Sequence, residues 1–311
     1  MSGRVVIVGS LSLDFVMRVP RRPAKGETIA GFDFNTFVGG KGNNQALAAA
    51  RAGAEVSLVG RVGDDSYGDR LIEMLRDNNV GVQHLRRDPL EGTGIANIYV
   101  DPEGDNSIVI VPRANAKLSM SDIEAAKEVI AQANVLLLQM EIPDEIVLLA
   151  AMVAKRAGVK VILNPAPAPP SGKLPDELLS YVDILIPNQP EAQLLSGCEA
   201  NDVAGAKQAA FKLQQAGANQ VIVTLGEQGA LLHDADGKDT LIPSFSVKAI
   251  DTTAAGDAFC GALAAAIARG DSMQEAIRTG CAAGALAVTK CGAEPSLPTR
   301  SQISELMAAV T

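Results

Sequence analysis

The chain has 311 residues, 47% hydrophobic and 20% charged, a globular composition that excludes a disordered protein and allows one large domain or two smaller ones. A formal charge of −9 and an aromatic content of 3% argue against a nucleic-acid partner, because phosphates are repelled and few rings are available for base stacking. The four cysteines form no Cys-x-x-Cys pair and no apolar run reaches the ~18–20 residues of a membrane span, so we expect a cytoplasmic protein with no membrane partner.

Strands and helices alternate along most of the chain. The patterns predict, in chain order, a strand at 4–9, a helix at 43–52, a strand at 55–60, a helix at 66–78, a strand at 135–139, a helix at 143–156, strands at 159–163 and 183–186, a helix at 202–216, a strand at 220–225, and helices at 255–269, 272–290 and 300–310. The strands are short and uniformly apolar, which is typical of a sheet buried on both faces. The sequence therefore predicts an α/β fold with a mostly parallel sheet.

Two segments depart from this alternation. Residues 14–37 are rich in Arg, Pro, Gly and Thr, and residues 93–111 contain two predicted short strands, at 94–100 and 106–111, around the turn sequence DPEGD. We interpret the two segments as a small antiparallel β lid inserted into a larger α/β domain. Two long surface hairpins are the alternative interpretation. The α/β catalytic domain would comprise residues 1–13, 38–92 and 112–311.

The most informative motif is DTTAAGD, from Asp251 to Asp257, between a strand-like piece at 245–250 and the start of a predicted helix. The small residues at 254–256 leave backbone N–H groups uncovered at the helix N-terminus, where these groups and the helix dipole bind anions. Asp257 beside such an anion hole can accept a proton from an attacking hydroxyl while the amides hold phosphate charge. A single first-turn acid would only complement the helix dipole, but the whole string favours catalysis.

Other polar motifs follow the predicted strands. The segment GGKGNNQ at 39–45 combines a tight glycine backbone with amide side chains, which suits hydroxyl recognition, although a plain capped turn is the alternative. The segment GSLSLD at 9–14 places Ser12 and Asp14 just past the first strand, at the edge where parallel sheets bind ligands. The segments PNQPE at 187–191 and TLGEQG at 224–229 are weaker signals of the same kind.

The common nucleotide-binding motifs are missing from the sequence. It contains no G-x-x-x-x-G-K-[ST] P-loop, and the first strand leads into GSLS in place of G-x-G-x-x-G. Neither a G-x-S-x-G nucleophile elbow nor an H-R-D kinase loop occurs. A nicotinamide-dependent dehydrogenase is therefore disfavoured.

DTTAAGD, GGKGNNQ, the N-terminal Asp14 and the Asn-x-x-Glu at 188–191, in this order, resemble the ribokinase (PfkB) family of sugar kinases over essentially the whole chain. The resemblance implies an αβα sandwich with a doubly wound sheet and a β lid that closes over the sugar and often forms a homodimer contact. It also implies ATP-dependent phosphorylation of the 5-hydroxyl of a furanose, with D-ribose the expected acceptor, and with Mg²⁺ and a monovalent cation such as K⁺ as cofactors.

The same resemblance assigns roles to individual residues. Asp257 matches the catalytic base, and the amides of Ala254, Ala255 and Gly256 match the anion hole. Sugar-binding positions match Ser12, Asp14, Gly40, Lys41, Asn44 and Glu141. Nucleotide-binding positions match Asn188, Thr224, Gly226, Gly229, Gly256 and Cys281. Glu191 matches the acid that organises Mg²⁺, through water. The monovalent-cation site matches Asp251, Thr253, Ala287, Lys290, Gly292 and Ser296, mostly through backbone carbonyls.

Two positions depart from the family pattern. Ser12 stands where the family usually has Asn, and a hydroxyl replaces a donor–acceptor amide there. Cys281 stands where a His is frequent, which weakens an expected contact to the nucleotide. The acceptor therefore stays open between ribose and another furanose, such as deoxyribose, a fructose-type sugar or a nucleoside. A non-catalytic sugar-binding protein on the same fold is the alternative from another class.

Overall fold

The computed structural model describes residues 3–309. Its strands are β1 (Arg4–Val8), β2 (Ser12–Arg18), β3 (Asp33–Gly39), β4 (Glu55–Gly63), β5 (Val80–Asp88), β6 (Gly94–Val100), β7 (Asn106–Val111), β8 (Val135–Leu138), β9 (Lys160–Leu163), β10 (Ile184–Leu185), β11 (Gln220–Thr224), β12 (Ala230–His233) and β13 (Asp239–Ile242). Its helices are α1 (Lys41–Arg51), α2 (Ser66–Asp77), α3 (Met120–Ala125), α4 (Lys127–Ala131), α5 (Asp144–Arg156), α6 (Gln189–Ser196), α7 (Val203–Gln215), α8 (Ala255–Arg269), α9 (Met273–Ala287), α10 (Ala293–Ser296) and α11 (Arg300–Ala308).

Nine strands of residues 3–309 form the main sheet, in the order β5-β4-β1-β8-β9-β10-β11-β12-β13. Neighbours from β5 to β11 pair in parallel, and β12 and β13 add an antiparallel edge. The predicted α/β fold with a mostly parallel, doubly wound sheet is confirmed. None of the helices within the described residues is long and apolar enough to span a membrane.

The central strand β1 shows why both faces of this sheet are covered. Successive side chains of a strand point to opposite faces. Val5 and Ile7 pack into a core shared with α1, α2, α8 and α9, whereas Val6 and Val8 pack into a second core shared with α3, α4, α5 and α7. All four side chains are at most 2% exposed, so the run VVIV at 5–8 is apolar because neither face of the strand meets water there.

A glycine brings α1 and α8 into close contact. A Cβ atom at Gly261 would lie 2.6 Å from the carbonyl oxygen of Gln45 and from the Cβ of Ala48, so only glycine fits without displacing one helix. Both helices are rich in alanine on the shared face, which keeps their backbones near each other. This close approach places the first turn of α8 against the first turn of α1.

A second sheet of four strands, in the order β3-β2-β6-β7, lies beyond the end of β1. Its outer pairs are antiparallel and its central pair, β2 with β6, is parallel. The predicted strands at 94–100 and 106–111 are β6 and β7. The sheet also includes Ser12 and Gly39, so it extends beyond the predicted lid segment 14–37 at both ends.

The strand-like piece predicted at 245–250 is wrong. These residues form no ladder, because β13 already occupies the sheet edge and the backbone N–H of Ile250 donates to the carbonyl of Val288 at the end of α9. The helix predicted at 272–290 ends at Ala287, and the residues that follow form a turn. The helix predicted at 300–310 is α11, and its last predicted residue lies outside the described residues.

Candidate active site

Polar side chains gather at the carboxyl ends of the parallel strands, the edge at which open α/β sheets bind ligands. Ser10 follows β1, Glu141 follows β8, Asn164 follows β9, Asn188 follows β10 and Thr224 ends β11. Together with the first turns of α1 and α8 they surround three adjacent cavities.

Asp257 lies in the first turn of α8 with 7% of its surface exposed. Its Oδ2 accepts a hydrogen bond from Nδ2 of Asn44 at 3.0 Å, and its Oδ1 accepts one from Nε2 of Gln45 at 2.9 Å. Both donors are on α1, so the close packing of α1 against α8 sets the orientation of the carboxylate. The predicted base is thus a buried carboxylate held by two amides.

The turn before α8 adopts an unusual backbone conformation. Ala254 has a φ of 59°, in the left-handed region that costs a non-glycine residue energy. Among residues 3–309 no acceptor is bonded to the amides of Ala254 and Gly256, and these two N–H groups are free for an anion. The amide of Ala255 differs from the expectation, because it donates to the carbonyl of Thr252 at 3.3 Å.

The first cavity, of about 250 Å³, contains the predicted sugar-binding residues. It is lined by Ser12, Asp14, Gly40, Lys41, Asn44, Glu141 and Asp257, together with side chains of β6 and β7. The hydroxyl of Ser12 donates to Oδ1 of Asp14 at 2.7 Å. Oε2 of Glu141 accepts from the hydroxyl of Ser10 at 2.5 Å and from the backbone N–H of Lys41 at 3.1 Å. Sequence reasoning missed Ser10, although it belongs to the segment after β1.

Lys41 lies among carboxylates in a buried site. Burial opposes its positive charge, but the attraction of Asp257, Glu141 and Glu191 outweighs burial and raises the pKa of Lys41. Burial also raises the pKa of Asp14 to about 6, with a smaller contribution from the nearby carboxylates of Glu141 and Asp257, and the hydrogen bond from Ser12 only partly opposes it. The site therefore carries an excess of negative charge around one central ammonium.

The second cavity, of about 210 Å³, shares Lys41 and Asp257 with the first. Asn188 and Glu191 line its far side and form a capping box at the start of α6. In this box the N–H of Asn188 donates to Oε2 of Glu191 at 2.9 Å, and the N–H of Glu191 donates to Oδ1 of Asn188 at 2.8 Å. Burial raises the pKa of Glu191, which these contacts only partly oppose. Thr224 and Gly256 also line this cavity.

The third cavity, of about 790 Å³, contains most of the predicted nucleotide-binding residues: Thr224, Gly226, Gly229, Gly256 and Cys281. Its walls are largely apolar, with Phe245, Val247, Phe259 and Gly284 among the lining residues that sequence reasoning missed. Burial raises the pKa of the Cys281 thiol to about 12, so the thiol acts as a neutral wall of this cavity. Asn188, predicted for the same site, faces the second cavity instead.

The predicted cation site lies in part around the carboxylate of Asp251. Burial opposes the charge, but hydrogen bonds from the side chain and N–H of Thr253 and from the N–H of Gly292 lower the pKa of Asp251. The backbone N–H of Asp251 donates to the carbonyl of Val288, which follows Ala287. Three of the predicted residues take no part in these contacts: Ala287, Lys290 and Ser296.

Comparisons with known proteins agree with this geometry. A model of the pfkB family carbohydrate kinases matches residues 2–300. The chain is 42% identical over 303 residues to a ribokinase of Haemophilus influenzae, covering 97% of this chain and 98% of that protein. It is 34% identical over 306 residues to a deoxyribokinase of Salmonella typhi, covering 97% and 98%. The structure of Arabidopsis thaliana ribokinase complexed with ribose and ATP has a TM-score of 0.90 and 36% identity, covering 99% of both chains.

This fold and site, together with the matching family model and relatives, identify a phosphotransferase of the carbohydrate kinase class. The chain belongs to the pfkB family of carbohydrate kinases. The family and the enzyme class expected from the sequence are confirmed.

Proposed function

We propose that the chain transfers the γ-phosphoryl group of ATP to the 5-hydroxyl of D-ribose and produces ribose 5-phosphate and ADP. One observation carries the proposal: Asp257 lines both the sugar-sized first cavity and the second cavity beside the free amides of Ala254 and Gly256. A carboxylate in that position reaches a hydroxyl on one side and a phosphoryl group on the other. The ribokinases among its relatives support ribose as the acceptor.

The proposed reaction places each bond change at a named atom. The sugar hydroxyl gives its proton to a carboxylate oxygen of Asp257, its oxygen bonds to the γ-phosphorus, and the bond from phosphorus to the ADP oxygen breaks. The amides of Ala254 and Gly256, with the dipole of α8, hold the charge on the phosphoryl oxygens. Lys41 lines both cavities and neutralises charge from either side.

The second cavity fits a magnesium ion in its donor chemistry. Glu191, Asn188 and Thr224 offer oxygen atoms, the ligands that Mg²⁺ prefers. Among residues 3–309 no three acidic, histidine or cysteine side chains converge to hold a metal by themselves, so Glu191 would act through water and the phosphates would complete the shell. When bound, Mg²⁺ neutralises charge on the β- and γ-phosphates.

The loop that leads into the anion hole fits a monovalent cation less completely. The carboxylate of Asp251 accepts hydrogen bonds from the backbone N–H groups of both Thr253 and Gly292, so three of the predicted ligand residues lie together. We propose that K⁺ binds here through backbone carbonyls of the predicted set. A cation at this loop would favour the backbone conformation of Ala254 and keep the anion-hole amides directed at the phosphate.

The second sheet supports a lid and an interface between copies of the chain. Residues of β6 and β7 line the first cavity, so binding of sugar beneath this sheet would order the segments 14–37 and 93–111. Phe32 is 69% exposed, and Phe34 and Ile108 are more than half exposed on the same small sheet. Because large exposed apolar patches mark interaction sites, we propose a homodimer through this lid.

All four cysteines are free thiols, which supports a cytoplasmic compartment.

Deoxyribose is a second candidate acceptor, because Ser12 departs from the family pattern and one relative is a deoxyribokinase. The hydroxyl of Ser12 is bonded to Asp14, so it offers a sugar hydroxyl only its remaining acceptor sites.

The proposed function is tested by measuring ADP release from MgATP with D-ribose, deoxyribose, fructose and nucleosides, each with and without K⁺. Fast turnover on ribose that K⁺ stimulates is the expected result. Turnover on deoxyribose alone would make deoxyribose the acceptor in place of ribose. No ADP release with any of these acceptors would contradict the kinase function.

A further inference from the structure

Three buried side-chain amides form a network beside Asp257, and one of them, Asn164, also lines the second cavity. Gln45 and Gln139 are fully buried, and Asn164 is 8% exposed. Nε2 of Gln45 donates to Oδ1 of Asp257 at 2.9 Å and to Oδ1 of Asn164 at 3.0 Å. Oε1 of Gln45 accepts a hydrogen bond from Nε2 of Gln139 at 2.6 Å. Gln45 therefore joins Asp257 to the ends of β8 and β9.

The hydrogen bonds leave one orientation for the Gln45 amide. A glutamine amide has two N–H donors and one carbonyl acceptor, and all three have partners here. Rotating the amide by half a turn would place its oxygen against the Asp257 carboxylate and its NH₂ against that of Gln139. Asn164 is held as well, because its own NH₂ donates to the carbonyl of Ile186 at 2.8 Å.

The packing around Gln139 shows that the network is built into the fold. A Cβ atom at Gly9 would lie 2.1 Å from Oε1 of Gln139 and 2.8 Å from the Cα of Gly42. Only glycine at position 9 leaves room for the Gln139 side chain to reach Gln45. Buried polar groups cost free energy unless they are bonded, and among residues 3–309 Oε1 of Gln139 is buried without a hydrogen-bond partner, so the network has a cost that a functional role would offset.

We propose that Gln45 is a positioning residue for the proton transfer: it holds Oδ1 of Asp257 from inside the protein so that Oδ2 faces the sugar cavity, and Gln139 keeps the Gln45 amide in the donating orientation. Asn44, which donates to Oδ2, lines the sugar cavity, whereas Gln45 does not. The inference rests on the proposed function, in which Asp257 is the base. It adds a residue that contacts neither sugar nor nucleotide.

The pH dependence of turnover is the observable that separates positioning from simple packing. Hydrogen bonding to an ionised carboxylate favours the ionised form, so loss of the Gln45 donor moves the acidic limb of the kcat profile to higher pH. Other groups contribute to this limb and stay unchanged in the variants. The titratable neighbours that face Asp257 are Asp14 on β2, Lys41 on α1, Glu141 after β8, Glu191 on α6 and Cys260 on α8.

Three variants and one control test the proposal. Gln45→Leu removes the donor and keeps the volume, Gln45→Glu keeps the shape and replaces the donor by a second carboxyl group, and Gln139→Met removes only the residue that orients Gln45. Gln214→Leu is the matched control, because Gln214 on α7 also bonds through both ends of its amide, to His233 and to two carbonyls far from the site. The readouts are kcat against pH, sugar affinity by calorimetry, and the midpoint of thermal unfolding.

Gln45→Leu is expected to lower kcat roughly ten- to a hundredfold, the ratio that corresponds to one hydrogen bond to a charged group, with sugar affinity within threefold of the wild type. The acidic limb moves to higher pH in Gln45→Leu and further in Gln45→Glu, where two carboxyl groups share a proton. Gln139→Met shows a smaller loss of kcat in the same direction. Gln214→Leu keeps the wild-type kcat profile.

A kcat within threefold of wild type and an unmoved acidic limb in Gln45→Leu would overturn the proposal. So would an equal loss of kcat in Gln214→Leu, which would mean that lost stability explains the effect. If Gln45→Leu unfolds at the assay temperature, Gln139→Met decides by the same two criteria. Wild-type turnover is measured first, because its absence with every sugar would reject the proposed function rather than the role of Gln45.

Discussion

Replacing Asp257 with Asn removes the proposed base while preserving the shape of the side chain. An Asn side chain has one acceptor where the carboxylate has two, so its NH₂ group must face one of the two donors, Asn44 or Gln45. Gln45 cannot turn, because Gln139 and Asn164 hold its amide. Asn44 borders the sugar cavity and can rotate to present its oxygen, provided that Asn43, whose NH₂ donates to that oxygen at 3.3 Å and whose own oxygen has no partner, rotates with it. The variant therefore keeps its hydrogen bonds with two small rearrangements.

The expected loss is large in rate and absent in stability. A general base contributes typically 10²- to 10⁴-fold, or about 2.7 to 5.4 kcal/mol of activation free energy, and kcat should fall by that factor. The free energy of unfolding should change by no more than about 1 kcal/mol, because the charge of Asp257 repels the carboxylates of Asp14 and Glu191 but attracts the ammonium of Lys41, and losing it has opposing effects. The midpoint of thermal unfolding should then stay within a few degrees of the wild type.

The assay is ADP release at saturating sugar and MgATP, with thermal unfolding followed by calorimetry. Asp202→Asn is the matched control: Asp202 caps α7 far from the site, and Asn is an equally good capping residue, so both readouts should equal wild type. A kcat within threefold of wild type in Asp257→Asn would refute the assignment of the base. An unfolding midpoint lowered by more than about 5 °C would refute the argument that the repulsive and attractive effects of the Asp257 charge oppose each other.

Three further predictions address pH, nucleotide and potassium. Burial and two nearby carboxylates raise the pKa of Asp14 to about 6, so between pH 4 and 6 the carboxyl group ionises in the unfolded state but stays protonated in the folded state. The sugar-free protein should therefore lose stability as the pH rises through this range, and Asp14→Asn should reduce the slope of the unfolding midpoint against pH, whereas an unchanged slope would contradict the prediction. Gly229→Ala should raise the KM for ATP at least tenfold, because φ is +103° and the new Cβ would lie 2.1 Å from the carbonyl oxygen of Ile242, whereas Gly237→Ala, with open space around it, should leave the KM unchanged. Asp251→Ala should abolish stimulation of kcat by K⁺ in a titration against Na⁺, and stimulation equal to wild type would place the cation elsewhere.

The elements with uniform burial could be predicted from the sequence. Strand β1 and helix α8 are mostly apolar because the surrounding layers exclude water from most of their length, and their predicted bounds agree with the structure to within one residue. β5 was missed, since it lies at a partly exposed edge where polar residues interrupt the pattern. The piece at 245–250 has strand-like residues but no free sheet edge to pair with, and local sequence carries no information about that edge.

The sequence by itself determined the fold class and the string that carries Asp257, because uniformly apolar strands, tight glycine turns and small residues at a helix start are local requirements of backbone chemistry. The family and the sugar-binding candidates followed from the resemblance of its motifs, and the structure gathers these candidates around one cavity. Only the tertiary structure decided which partners surround Asp257. Gln45, Gln139 and Asn164 are far apart in the chain and meet because β1, β8 and β9 are neighbours and Gly261 lets α1 approach α8. Such contacts depend on the order of strands and the distance between helices, which no local pattern of residues specifies.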